Sequence, residues 1–300
     1  MDDQARQVLD RLAALAPDGD PAADDAAWLA AFRYQTALLR DFGGVSEPLL
    51  SVGLRSLGGV GARIFRPSDD DDAILFHLHG GGGIAGTLDG HDPALRLLAA
   101  RTGWTVVAPD YRLAPEHRFP AQLEDSYSAL IALHAERPAR RIVLSGDSIG
   151  ATLATALAML VRDRGGPALA GQLLLYPNTD LRRGADYPSR RSEDGNIIGL
   201  EDLERQIDLY VADDAARSDA RASPLLSDQL DTLPPTLILT CERDPLRDEG
   251  EAYARRLRAA GVTVEHHRVP GMIHAFLQMA GMVSATTQWL AVAKRWLGDR

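Results

Sequence analysis

Four short stretches of this 300-residue chain carry side chains able to attack, hold and protonate an acyl group. The first is Gly146-Asp147-Ser148-Ile149-Gly150. A serine with a glycine two residues to either side suits a sharp reversal from strand into helix, because the glycines leave room for the close backbone approach that the turn forces. The apolar Ile142-Val143-Leu144 before it and the run 151–161 after it supply that strand and that helix. The turn lifts the hydroxyl above the carboxyl end of a sheet, and the helix N-terminus favours negative charge developing beside it. The second stretch is His79-Gly80-Gly81-Gly82, which follows an apolar run ending at Leu78. Acyl transfer needs N–H donors aimed at an oxyanion, and a glycine run lets the backbone supply them with no side chain in the way. Taken alone, the same stretch fits a plain glycine-rich turn.

The other two are single residues in loops. Asp244 lies in Cys241-Glu242-Arg243-Asp244-Pro245-Leu246, and His274 in Pro270-Gly271-Met272-Ile273-His274. Each follows a strand-like run, at the strand end where α/β sites form. Serine, acid and histidine in that chain order make a triad. His274 would take the Ser148 proton and return it to the leaving group, while Asp244 fixes its tautomer and stabilises the imidazolium. Alone, Asp244 is an ordinary turn residue and His274 an ordinary loop histidine; Ser148 gives both a role.

The elements that must position these residues follow from hydrophobic periodicity. Val8, Leu9, Leu12 and Leu15, then Trp28, Leu29, Ala31, Phe32 and Leu38 beyond Pro21, make 4–42 helical, an appendage ahead of the first strand. Strands are expected at 51–57 and 60–66, joined by Gly58-Gly59 as a hairpin, and at 73–78, whose unbroken apolar run suits burial on both faces. Asp92-Pro93 reads as a cap and first-turn proline of the next helix. Strands at 105–108, 141–145, 172–176, 236–240 and 264–269 alternate with helices at 120–135, 148–163, 248–260 and 282–297. That alternation predicts an α/β fold with a mostly parallel sheet covered on both faces. Residues 180–222 break the rhythm with a polar stretch holding one helix around 200–211.

Composition narrows the function classes. Lys and Arg total 32 and Asp and Glu 42, a net charge of −10, so a phosphate backbone would be repelled and no nucleic-acid partner is expected. A lone cysteine, Cys241, allows no internal disulfide, which fits a reducing compartment; a buried thiol is the expected state. The Met1-Asp2-Asp3-Gln4 start lacks a basic-then-apolar leader, and no apolar stretch approaches a membrane span, so a cytoplasmic protein with no membrane partner is expected. The run Asp69 to Asp72 reads as a solvated turn rather than a metal site. His77 and His79 alternate on a strand as some metal ligands do, but no suitable companion follows; no metal and no cofactor are expected. His266 and His267 should point to opposite sheet faces, and Asp147 should be structural.

Together, His79-Gly80-Gly81-Gly82, Asp110-Tyr111-Arg112-Leu113-Ala114-Pro115-Glu116-His117, Gly146–Gly150, Asp244-Pro245-Leu246-Arg247-Asp248-Glu249 and His274 resemble the hormone-sensitive-lipase-like family of bacterial carboxylesterases, over roughly residues 60–280. The resemblance implies an α/β-hydrolase fold with a helical cap. Residues 1–45 would form N-terminal cap helices, and 46–300 a catalytic domain with a cap insertion at about 180–222. It implies oxyanion donors at the N–H groups of Gly81, Gly82 and Ile149. The expected activity is hydrolysis of small, short- to medium-chain carboxylic esters through an acyl-serine intermediate. An amidase or N-deacetylase would use the same triad, and a non-catalytic receptor on a hydrolase scaffold would normally have lost a member of it. The resemblance also admits a homodimer paired through an edge strand. Two departures stand out: Ile149 replaces the family's usual alanine, so a branched side chain must find space, and Gly83 replaces a frequent aromatic, which would loosen the oxyanion loop or widen the acyl pocket.

Overall fold

A computed structural model describes residues 1–15, 24–70 and 72–300. Its strands are β1 (Ser51–Leu57), β2 (Val60–Arg66), β3 (Ala73–Leu78), β4 (Thr105–Pro109), β5 (Arg141–Asp147), β6 (Gly171–Leu175), β7 (Thr236–Arg243) and β8 (Val264–Ile273). They form one sheet in the order β1-β2-β4-β3-β5-β6-β7-β8. The β1–β2 hairpin and the β2–β4 pair are antiparallel, and every later pair is parallel. The fold is the expected α/β-hydrolase sheet.

Sequence explains which strands lie inside. Every residue of β3, β4 and β6 is buried, as their continuous apolar runs require. The two-residue period sorts β3 between two cores: Ile74, Phe76 and Leu78 to one face, Ala73 and Leu75 to the other. Helices α4 (Ala121–Glu136), α5 (Ile149–Asp163) and α9 (Arg247–Ala259) add Leu130, Leu157 and Leu257 to the first core. Helices α3 (Asp92–Thr102) and α10 (Ala285–Gly298) add Leu98 and Trp296 to the second. At the N-terminus the two periodic runs form α1 (Asp3–Ala14) and α2 (Asp25–Leu38); the connection that includes Pro21, like Asp71 of the acidic run, lies outside the described residues.

Three boundaries differ from expectation for physical reasons. Helix α3 is preceded by His91, with Asp92 its first residue rather than its cap. Strand β8 runs through Pro270 to Ile273; a proline has no N–H for a ladder, but β8 is an edge strand, where that donor is not needed. The last helix begins at Ala285, because Gly281 is first tied to the N-terminal segment by its N–H to the Phe42 carbonyl at 2.9 Å. Between β6 and β7, residues 180–222 hold α6 (Pro188–Ser192) and α8 (Asp214–Ser218) as well as the expected α7 (Leu200–Tyr210). The base of this segment is pinned by a buried pair, Arg190 to Glu249 at 2.6 Å, whose carboxylate also accepts from the Thr179 N–H at 2.7 Å.

Candidate active site

Ser148 sits between β5 and α5 with φ 56° and ψ −126°, a backbone conformation that costs a non-glycine residue about 1–3 kcal/mol. The turn is held by its N–H donating to the Leu175 carbonyl at 2.9 Å. Both flanking glycines are steric requirements. A Cβ on Gly150 would stand 2.0 Å from the Leu78 carbonyl oxygen, and one on Gly146 would stand 2.2 Å from Gly150 backbone atoms. Ile149 opens α5, and its side chain finds its space in the core, 2% exposed.

Asp244 and His274 reach each other from the loops after β7 and β8. His274 Nδ1 lies 2.8 Å from Asp244 Oδ2, and the other Asp244 oxygen accepts from the Leu246 N–H at 2.8 Å. An acceptor at Nδ1 fixes the N–H there and leaves Nε2 with its lone pair. The Tyr176 ring meets His274 edge-on at 4.8 Å and limits its rotation. Ser148, His274, Gly81 and Gly82 line one cavity of about 490 Å³, while Asp244 lies buried behind His274.

The glycine loop is held from beneath by a polar network. Gly81, Gly82 and Gly83 all have positive φ, at 114°, 64° and 73°. Asp147 Oδ1 accepts the Gly80 N–H at 3.0 Å and lies 3.2 Å from His77 Nε2; His77 Nδ1 lies 3.0 Å from Ser145 Oγ. Burial pushes the Asp147 carboxyl up, but the His77 hydrogen bond and the neighbouring imidazoles more than offset this and hold it at about 2. His79 packs at 4.3 Å on the Tyr111 ring, whose hydroxyl donates to the His79 carbonyl at 2.6 Å. Burial, reinforced by His91, holds the His79 ring down to about 3, so it is neutral at neutral pH. The Tyr111–Glu116 stretch is therefore a support behind the loop, and Asp147 is structural.

Gly83 corrects an expectation. The Tyr210 ring of α7 lies 2.4 Å from where a Cβ on Gly83 would stand, so the space left by the missing aromatic is filled from another element. Tyr210 is buried and packs edge-on against Phe119 at 5.9 Å. Sequence reasoning also missed Arg33 of α2, which donates to the carbonyls of Ile84 at 2.8 Å and Ala114 at 3.1 Å and pairs with Glu116 at 2.7 Å. No local pattern marked these residues; the only signal was the stripe Leu203, Ile207, Tyr210 on α7. His266 and His267 do diverge, one toward Thr240 at 3.0 Å and the other against Trp289 at 5.3 Å. Cys241 is free and buried. Among the described residues, no cluster of three or more His, Cys, Asp or Glu could hold a metal ion, and no helix is long and apolar enough to cross a membrane.

A profile described as the alpha/beta hydrolase fold matches residues 75–278, and the chain belongs to this family, in its hormone-sensitive-lipase-like branch. It is 37% identical over 256 residues to an ethyl acetate hydrolase of Pseudomonas putida, covering 81% of this chain and 79% of that one. It is 38% identical over 265 residues to the carboxylesterase NlhH of Mycobacterium tuberculosis, covering 82% of each. Among solved structures, a hyperthermophilic esterase from the archaeon Pyrobaculum calidifontis superposes with a TM-score of 0.88 at 32% identity, over 98% of this chain and 96% of that one.

Proposed function

We propose that this chain is a serine carboxylesterase that hydrolyses small, short- to medium-chain carboxylic esters through an acyl-serine intermediate. The observation that carries this reading is the buried Asp244–His274 pair lining up behind a cavity that it shares with the strained Ser148 and the glycine loop. Ser148 attacks the ester carbonyl as His274 Nε2 takes its proton, and the N–H groups of Gly81, Gly82 and Ile149 receive the oxyanion. His274 then protonates the departing alkoxide. Water, deprotonated by the same nitrogen, releases the acid and restores the serine. The Asp244 carboxylate holds the imidazolium through both halves.

The cap reading is part of the same proposal. It is supported by Leu9 of α1, Phe32 of α2 and Gln206 of α7, which line the cavity from residues 1–45 and 180–222. A volume of about 490 Å³ suits a small ester. A cytoplasmic location is supported by the single buried cysteine, and pairing of two copies by the position of β8 at a sheet edge. The test is release of p-nitrophenol from acetate, butyrate, octanoate and palmitate esters, with p-nitroanilides alongside. Turnover that peaks on short esters and disappears in Ser148→Ala is expected. Absence of ester turnover by a folded wild type, or preference for the anilides, would overturn the reading.

A further inference from the structure

Helix α7 turns Leu203, Gln206, Ile207 and Tyr210 inward as one stripe. Helical periodicity puts apolar groups at such positions, and three of the four comply. Gln206 does not. It is 7% exposed, yet its amide hydrogen-bonds no described residue. Its amide atoms open onto the cavity rather than being sealed in the packing, so a group that enters the cavity can pair with them. A second inward glutamine, Gln278, has its donor side committed: its Nε2 donates to the lone pair of His91 Nε2 at 2.7 Å, because His91 Nδ1 faces the Thr87 carbonyl at 3.1 Å, while its Oε1 is buried without a partner.

The place of the unpaired amide narrows what it could meet. Gln206 lines the cavity with Ser148, Gly81 and Gly82, and its Oε1 lies 2.6 Å from where a Cβ on Gly82 would stand. It therefore hangs over the glycine loop, beside the position of a bound acyl carbonyl. Most of the remaining lining is apolar, with Leu9, Leu12, Phe32, Leu39 and Ile198 among it. An amide offers one acceptor and two donors, and a hydroxyl is the small group that can use both kinds.

We propose that Gln206 is a specificity-determining residue whose amide hydrogen-bonds a hydroxyl of the substrate close to the scissile carbonyl, so that the natural substrates are hydroxylated esters rather than plain alkyl esters. The inference rests on the esterase reading and adds a substrate class to it. A site that pairs a substrate hydroxyl rejects the analogue lacking it, because the amide is then left unsatisfied again.

Matched substrates that exchange methyl for hydroxyl test this. Ethyl butyrate against ethyl 3-hydroxypropanoate probes the acyl arm, and propyl butyrate against 2-hydroxyethyl butyrate the alcohol arm. The readout is the hydroxyl-to-methyl ratio of kcat/KM in wild type, Gln206→Met and Gln206→Leu, the second apolar variant guarding against a folding failure of the first. In at least one arm the ratio is expected to fall about tenfold or more in both variants. Gln206→Glu, which keeps an acceptor, should recover part of the preference. Ratios unchanged within about twofold in both arms would overturn the proposal, whatever happens to overall turnover, while a wild type inert on every ester would overturn the esterase reading with it.

Discussion

The loops at the carboxyl end of the sheet and the helices that roof them are held by different kinds of interaction. The loops are fixed by backbone geometry and by groups wholly out of water: the Ser148 turn on Leu175, Gly150 against Leu78, Asp147 beneath Gly80, Asp244 behind His274. The roof packs Trp28, Leu203, Ile207 and Tyr210 into the core and is pinned at its base by the Arg190–Glu249 pair, but other polar links lie at the surface. Arg33 reaches Glu116 with side chains 35% and 54% exposed, and Arg205 reaches Asp25 at 2.8 Å, linking α7 to α2. Buried packing is costly to disturb, whereas exposed ion pairs contribute about 0–1 kcal/mol each and weaken in salt. The proposed reacting groups therefore sit in the stiff part of the molecule, and the cavity wall proposed to select among substrates sits where surface links leave more room to give.

Three perturbations sharpen this contrast, in falling order of effect. Gly150→Ala attacks the stiff region: the added Cβ meets backbone oxygen rather than a movable side chain, and stability in urea should drop by about 3 kcal/mol or more. A soluble variant with an unchanged midpoint would show that the elbow tolerates crowding.

Acid acts on the same region by linkage. Burial holds the folded His79 ring down to about 3, against about 6.5 for a free imidazole. Between those values the unfolded chain binds a proton that the folded one refuses. Stability is therefore full above about 6.5 and lost as pH falls towards 3, at up to about 1.4 kcal/mol per unit from this ring. His91, held down by burial, and Asp147, held down by its imidazole neighbours, act with the same sign. Urea midpoints measured from pH 7 to 5 should decline, and less steeply in His79→Asn; equal slopes would remove His79 from the account.

Arg33→Gln probes the roof. The loss should be under about 1 kcal/mol in stability, with KM for a p-nitrophenyl ester raised a few-fold and kcat within about twofold. A collapse of kcat would mean that α2 positions the glycine loop rather than merely covering it.

The same division explains what the sequence could reveal. The elbow, the glycine run and the buried strand β3 are legible because each is a contiguous pattern imposed by local sterics. Asp244 and His274 follow from chain order and from their loops after strands. The roof is less legible. Tyr210 fills the space beside Gly83 from more than a hundred residues away, and nothing near Gly83 announces it. The His77–Asp147 pair depends on the parallel register of β3 on β5, which sets His77 beside Ser145. Arg33 acts across a crossing of α2 over the glycine loop that no periodicity encodes. The strand expected over 264–269 continues past Pro270, and only the sheet order explains why β8 passes through it.

The central claim is that Ser148 is the nucleophile, activated by His274 and Asp244. The most direct measurement is intact-protein and peptide mass spectrometry after exposure to a diethyl phosphoryl ester of p-nitrophenol, in wild type and His274→Ala. One phosphoryl group per chain on the peptide carrying Ser148, forming much more slowly in His274→Ala, is the predicted result. A label on another residue, or labelling at Ser148 indifferent to the loss of His274, would contradict the account.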